Sequence, residues 1–306
     1  MTASTGTSRK RRVRMELPLD LGLTLFPLQR AGRWDPAVRV GRHQAWRATH
    51  NPEGVATVRY ARVGDAVEVE AWGPGAELEL ERAPGVLGAE DGLEGFVPQH
   101  PLVADLHRRL PGLRITRTRA VFEVLVPAVF EQKVIGAEAR AGYGRMIRRL
   151  GQAPPGPAAL VAPPDAATVA ATPYFDFHPF AIERRRAETM IRAARRAAWL
   201  EATVGMTAEE ARNRLVSVPG IGDWTAAEVA MVALGDADAV SVGDYNLRNV
   251  VAWAFRGERR GDDDMMLELL EPYRGHRGRV LRLLMAGGVG PPRRGPRLAL
   301  RRLELG

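Results

Sequence analysis

The stretch Leu215 to Asp244, reading LVSVPGIGDWTAAEVAMVALGDADAVSVGD, restricts the possible folds of this chain more than any other. Apolar residues at helical spacing flank Val218-Pro219-Gly220-Ile221-Gly222 on both sides, so two helices meet across a turn that leaves room only for close packing. Gly220 and Gly222 have no Cβ; they can take positive φ and leave their amides uncovered. Those donors, beside the positive end of the following helix, make a small anion site that needs no basic side chain. The same turn also serves as a plain αα-corner whose glycines only let the helices approach. Upstream, Thr207 and Glu210 carry the spacing of a capping box and predict the start of the helix that leads into the turn.

Asp244 closes the stretch. It follows Gly243 and precedes Tyr245-Asn246-Leu247-Arg248-Asn249-Val250, a helical pattern, so capping that helix is its ordinary role. The amides that a capping carboxylate accepts favour its charged form. A group held that way suits stabilising a cation better than taking a proton from water.

Periodicity divides the rest. Ala56 to Ala61 and Ala66 to Trp72 alternate apolar and polar around Val63-Gly64-Asp65, which predicts an antiparallel hairpin. Beyond His100-Pro101 the period becomes helical, with Val121, Val124, Leu125, Ala128 and Val129 as one stripe. Gln152 to Pro164 reads as a loop, His178 to Leu200 as one long Arg-rich helix, and Gly287 to Gly290 as a helix terminator. A chain of 306 residues with 45% hydrophobic content can bury two cores.

The formal charge of +8 belongs to the ends: residues 1–15 carry +5 and residues 291–306 carry +4, which leaves the body near −1. Such ends either screen phosphate weakly or are simply solvated. With no cysteine there is no disulfide and no thiolate-held metal or iron–sulfur cluster. No apolar run has the length of a membrane span, and no apolar segment follows the basic N-terminus, so a cytoplasmic protein is expected.

Val-Pro-Gly-Ile-Gly-x-Trp-Thr-Ala, followed by Val-x-Val-Gly-Asp-Tyr-Asn-Leu around Asp244, resembles the helix-hairpin-helix DNA glycosylase superfamily, and within it the bacterial 3-methyladenine DNA glycosylase II family. Val121 to Gly136 (VFEVLVPAVFEQKVIG) is similar to that family's helix entering the lesion-flanking loop, and Glu271-Pro272-Tyr273-Arg274 to a late element of it. Leu17 to Leu25 and Ala71 to Glu79 are similar to the domain that precedes its helical core. The resemblance implies an α+β fold: a small antiparallel β-rich N-terminal domain over residues 16–100, then an all-helical helix-hairpin-helix glycosylase core over 101–290. Residues 1–15 are expected to be a disordered basic tail, and 291–306 a second basic tail.

The implied activity is excision of an alkylated, 3-methyladenine-like base from duplex DNA by a monomer. Cleaving an N-glycosidic bond passes through an oxocarbenium-like sugar that needs a fixed negative charge and a nucleophile. By resemblance the charge is Asp244. Relatives that also nick the strand form a Schiff base through a hairpin lysine. Trp224 stands in that position here, and the chain has only two lysines, Lys10 and Lys133. Water is therefore the expected nucleophile, with no AP-lyase step. Pro219, Gly220, Ile221, Gly222 and Thr225 are the expected phosphate grip.

The target nucleotide must leave the duplex, at a cost of a few kcal/mol, and something must fill the gap. The resemblance assigns this to the loop of Gln132 and Lys133, where a surface lysine at a helix start is the plain alternative. Stacking contributes about 1–3 kcal/mol per base, so aromatic pocket walls are expected, from Trp224, Tyr245, Tyr174, Phe175 and Tyr273. The family's stacking tryptophan is replaced by Arg282, which opens the base preference to change. Asp223 is acidic where phosphate would approach, unless it caps the helix. The carbonyls of Val216, Val218 and Ile221 match positions at which family hairpins hold a structural Na or K ion. A non-catalytic lesion- or structure-specific DNA-binding protein is the alternative function, yet such a binder gains nothing from a carboxylate at 244.

Overall fold

A computed structural model describes residues 7–292. Strands β1 (Arg9–Arg14), β2 (Val38–Val40), β3 (Gln44–Asn51), β4 (Gly54–Val63) and β5 (Ala66–Trp72) form one antiparallel sheet in the order β1-β5-β4-β3-β2. The alternating segments give the expected hairpin, β4 with β5, paired from Val63 opposite Ala66 to Thr57 opposite Trp72. Helices α1 (Leu21–Leu25) and α2 (Ala76–Val86) cover one face and bury Val58, Tyr60, Val67, Val69 and Ala71.

The expected disordered tail over 1–15 is overturned in part, because Arg9–Arg14 is the edge strand β1. Its cations face acids: Lys10 lies opposite Glu70 and Arg12 opposite Glu68, Lys10 pairs with Glu70 at 3.3 Å, and Arg9 pairs with Glu77 of α2. Val13 turns into the sheet's core. A basic run therefore completes an edge whose neighbours are acidic. The second tail, from residue 293 onward, lies outside the described residues.

The helical part comprises α3 (Pro101–Arg109), α4 (Val121–Phe130), α5 (Gly136–Leu150), α6 (Ala166–Ala171), α7 (Arg184–Ala194), α8 (Ala197–Glu201) and α9 (Ala208–Val216), and then α10 (Asp223–Val229), α11 (Tyr245–Arg256), α12 (Asp263–Leu270) and α13 (Arg277–Ala286). Nine of the ten residues of α4 are buried, which makes it the central helix of a core shared with α5, α7, α9 and α10. A separate core joins α3, α11, α12 and α13. Asp244 and the hairpin meet where these two bodies adjoin.

The long helix expected over His178 to Leu200 is instead three pieces. Tyr174–Phe180 is a 3-10 turn holding Pro179, Ala181 is left-handed at φ 63°, and α7 and α8 follow separately. Pro179 lacks the N–H that a continuous helix would need. The capping box is present as expected, with both the Thr207 and Glu210 bonds made. Gly287 and Gly288, the latter at φ 68°, end α13.

One buried cluster rivets the sheet to the helices. Arg47 of β3 is 2% exposed; it donates to Glu79 of α2 at 3.2 Å, to Thr49 at 3.0 Å and to Glu123 of α4 at 2.7 Å.

Candidate active site

Asp244 caps α11. One carboxylate oxygen accepts the amides of Asn246 and Leu247, at 2.8 and 3.0 Å. The other accepts the indole N–H of Trp224, at 3.1 Å. Three of roughly four acceptor directions are thus occupied. The group is held in orientation. Because Trp224 stands in the first turn of α10, the same bond fixes the hairpin against the carboxylate.

The hairpin joins α9 to α10 through Ser217–Gly222. Gly220 sits at φ 97°, and a Cβ there would meet the Thr189 hydroxyl at 2.1 Å, so the position is closed to any side chain. Gly222, expected to share that conformation, is instead extended at φ −104° and faces open space. Its lack of a side chain leaves the surface before α10 bare. Asp223 is not the cap, which is Gly222; its carboxylate pairs with Arg212 at 2.6 Å, so the acid is offset locally. Ile221 is buried in the core beneath the bend, and the Val218 carbonyl accepts the Ile221 amide at 3.0 Å.

Gln132 fastens the turn after α4 to this bend, since its amide donates to the Gly220 carbonyl at 3.0 Å and to the Thr225 hydroxyl at 2.9 Å. Lys133 is exposed beside it, in a left-handed conformation at φ 53°.

A charged cluster lies behind Asp244. Arg30 reaches Glu131, at the end of α4, at 2.9 Å and Glu228 of α10 at 3.5 Å, while Ser241 donates to Glu228 at 2.7 Å. Burial opposes the Arg30 charge, but Glu131 and Glu228 outweigh it and raise its pKa. Burial also raises Glu131, against the pull of Arg30. Arg282 of α13 donates to the Leu23 carbonyl at 2.9 Å, and desolvation lowers its guanidinium to about 10, still protonated at neutral pH.

Solved structures share this architecture. A 3-methyladenine DNA-glycosylase from Archaeoglobus fulgidus superposes with a TM-score of 0.74 at 19% identity, over 90% of this chain and 97% of that one. An 8-oxoguanine glycosylase/lyase from Clostridium acetobutylicum reaches 0.69 at 13% identity, over 93% and 99%. In sequence, a probable bifunctional transcriptional activator/DNA repair enzyme of Mycobacterium tuberculosis, AlkA, is 32% identical over 143 residues, 46% of this chain and 28% of that protein. The chain has the fold of these DNA glycosylases. A putative DNA-3-methyladenine glycosylase of Bacillus subtilis, YfjP, is 29% identical over 119 residues, 36% of this chain and 41% of that protein. The chain therefore spans under half the length of these curated relatives. No protein-family model matches it.

Within this glycosylase fold the expected aromatic pocket is only partly assembled. Trp224 is bonded to Asp244, and Tyr245, 68% exposed, follows it with Arg248 over its ring. Tyr174 and Phe175 lie on the turn before α7, where Tyr174 carries Arg184 over its face, and neither has a hydrogen bond or ring contact with the Asp244 cluster. Tyr273 is no pocket wall: it is 4% exposed in the second core, between Phe96 and Phe255, with its hydroxyl accepting the His100 amide at 2.9 Å. A large ring at a helix end is best buried when its hydroxyl finds a partner. The sequence reading missed Arg30, Glu131, Glu228 and Ser241. Glu228 had a usable signal, since it stands one helical turn after Trp224 and shares its face.

Proposed function

We propose that this chain is a monofunctional DNA glycosylase that extrudes and excises alkylated, 3-methyladenine-like bases from duplex DNA. The observation that carries the reading is the Trp224–Asp244 bond, which joins a bare-amide hairpin to an anionic group of fixed orientation. Asp244 stabilises the oxocarbenium-like sugar as its bond to the base lengthens. Water attacks, because the hairpin offers Trp224 where an amine would be needed, and Lys10 is engaged with Glu70 in the sheet. The free amides ahead of α10 bind one phosphate across the open side of Gly222. The neutral carbonyl oxygens of Val216, Val218 and Ile221 would be the groups to hold a monovalent Na or K ion, which would supply positive charge near that phosphate. Lys133, exposed at the turn pinned by Gln132, fills the space the nucleotide leaves. The names borne by the sequence relatives, a DNA repair enzyme and a putative 3-methyladenine glycosylase, support this assignment.

The test is release of free base from methylated duplex DNA. Asp244→Asn is expected to reduce the single-turnover rate by on the order of 10²–10³-fold, as loss of one transition-state electrostatic contact does. An unchanged rate removes the mechanism. A covalent adduct trapped by borohydride shows that an amine attacks instead, and binding without release by the unmutated protein makes the chain a lesion binder.

A further inference from the structure

Asp244 ends a tight turn that α10 grips twice. Its own amide donates to the Ser241 carbonyl at 3.2 Å, so Ser241 and Asp244 are the two ends of one closed bend. Trp224 holds the Asp244 end at 3.1 Å, and Glu228, one helical turn further along α10, accepts the Ser241 hydroxyl at 2.7 Å. Ser241 is 1% exposed, so its hydroxyl has little access to water as an alternative partner. Glu228 is steadied in turn by Arg30, which also reaches Glu131 next to Gln132. Past Val229, the residue after Glu228, the helix passes into a π turn over Ala230–Leu234, a change of pitch that frequently marks a functional position.

We propose that Glu228 is a positioning residue for Asp244: through the Ser241 hydroxyl it sets the bend whose far end presents the carboxylate, while Trp224 fixes that carboxylate's rotation. Two side chains on one face of α10 thereby convert the place of the hairpin helix into the place of the anion. Glu228 acts through Ser241 and not on the sugar or base. Its loss should lower the rate of bond cleavage while DNA affinity holds. The activity arm rests on the glycosylase reading; the arm that follows the Trp224–Asp244 bond does not.

The indole N–H resonance of Trp224 is assigned in a nitrogen–proton correlation spectrum by its disappearance in Trp224→Phe. In Glu228→Ala and in Ser241→Ala that resonance should move toward its position in Asp244→Ala, where the bond is absent. Single-turnover base release should fall on the order of 10- to 100-fold in both, the range that small misplacements of reacting groups produce. The dissociation constant for the same duplex should stay within about twofold of the unmutated value. Glu228→Gln keeps an acceptor for Ser241 and should recover most of the rate, which separates the hydrogen bond from the charge and preserves the side-chain volume. The double variant Glu228→Ala/Ser241→Ala should be no slower than either single one. A Trp224 resonance that stays in place in both variants overturns the proposal, as does a rate loss matched by an equal loss of affinity. Absence of base release by the unmutated protein would instead sink the glycosylase reading, and the resonance would still decide for or against the clamp.

Discussion

Arg47 and Arg30 each face two glutamates in the interior, yet the two clusters are finished to different degrees. Around Arg47 the contacts are short and Thr49 takes part, with Arg47 and Glu79 almost wholly out of water. Around Arg30 only the Glu131 contact is short, Glu228 is at 3.5 Å, the guanidinium Nε is buried without a partner, and all three side chains keep some exposure. The first cluster binds the sheet to α2 and α4. The second touches both the turn carrying Gln132 and the helix face holding Asp244. Each cluster leaves one buried polar atom without a partner, the Tyr60 hydroxyl beside Arg47 and Nε of Arg30 itself, but only in the first are the arginine and a glutamate both almost wholly withdrawn from water.

Breaking the first cluster should therefore have the larger effect on stability. Arg47→Met takes from the buried Glu79 its nearer cationic partner and from Glu123 its guanidinium, and should cost about 3–5 kcal/mol in urea unfolding, with base release per folded molecule unchanged. Arg30→Met should cost only about 1–2 kcal/mol, because water reaches its glutamates, but should slow base release on the order of tenfold. Reversal of that ranking would break the comparison. The hairpin repeats it in miniature. Gly220→Ala meets Thr189 and a left-handed backbone, and should destabilise by about 2 kcal/mol or more. Gly222→Ala has open space and an extended backbone, so its stability should stay within about 0.5 kcal/mol, and the loss should appear instead in DNA affinity measured by titration.

The smallest effect sharpens the electrostatics. Burial raises Glu131 above its ordinary 4.5, so the folded protein holds that proton to higher pH than the unfolded chain does. Stability should fall as pH rises from about 4.5 through the raised value, and then level off. Glu131→Gln should lack that step in unfolding curves taken across the range.

The parts that could be read from sequence were local. Gly220, Asp244, the capping box of Thr207 and Glu210, and the β4–β5 hairpin each declare themselves within a few residues, through turn chemistry or period. Arg9–Arg14 read as a tail because its partners, Glu68, Glu70 and Glu77, lie far along the chain, and a basic run shows no alternation of its own. Tyr273 looked like a wall because an aromatic at a helix end carries no mark of whether its hydroxyl will find an amide as distant as that of His100. The Arg30 cluster was hidden for the same reason, since Arg30 and Glu228 are 198 residues apart and only the packing of the segment between α1 and β2 against the first helical core brings them together. Long-range ion pairs leave no periodicity.

The Gln132 side chain ties the turn after α4 to the hairpin at two points, the Gly220 carbonyl and the Thr225 hydroxyl of α10. On the proposed function, the exposed tip at Lys133 and the bare surface at Gly222 are marks on one ruler, with a spacing set in the free protein. A straight duplex and a kinked one differ in the span between a backbone phosphate and an opened base step. A protein with such a ruler would sort them by length first and inspect the base afterwards.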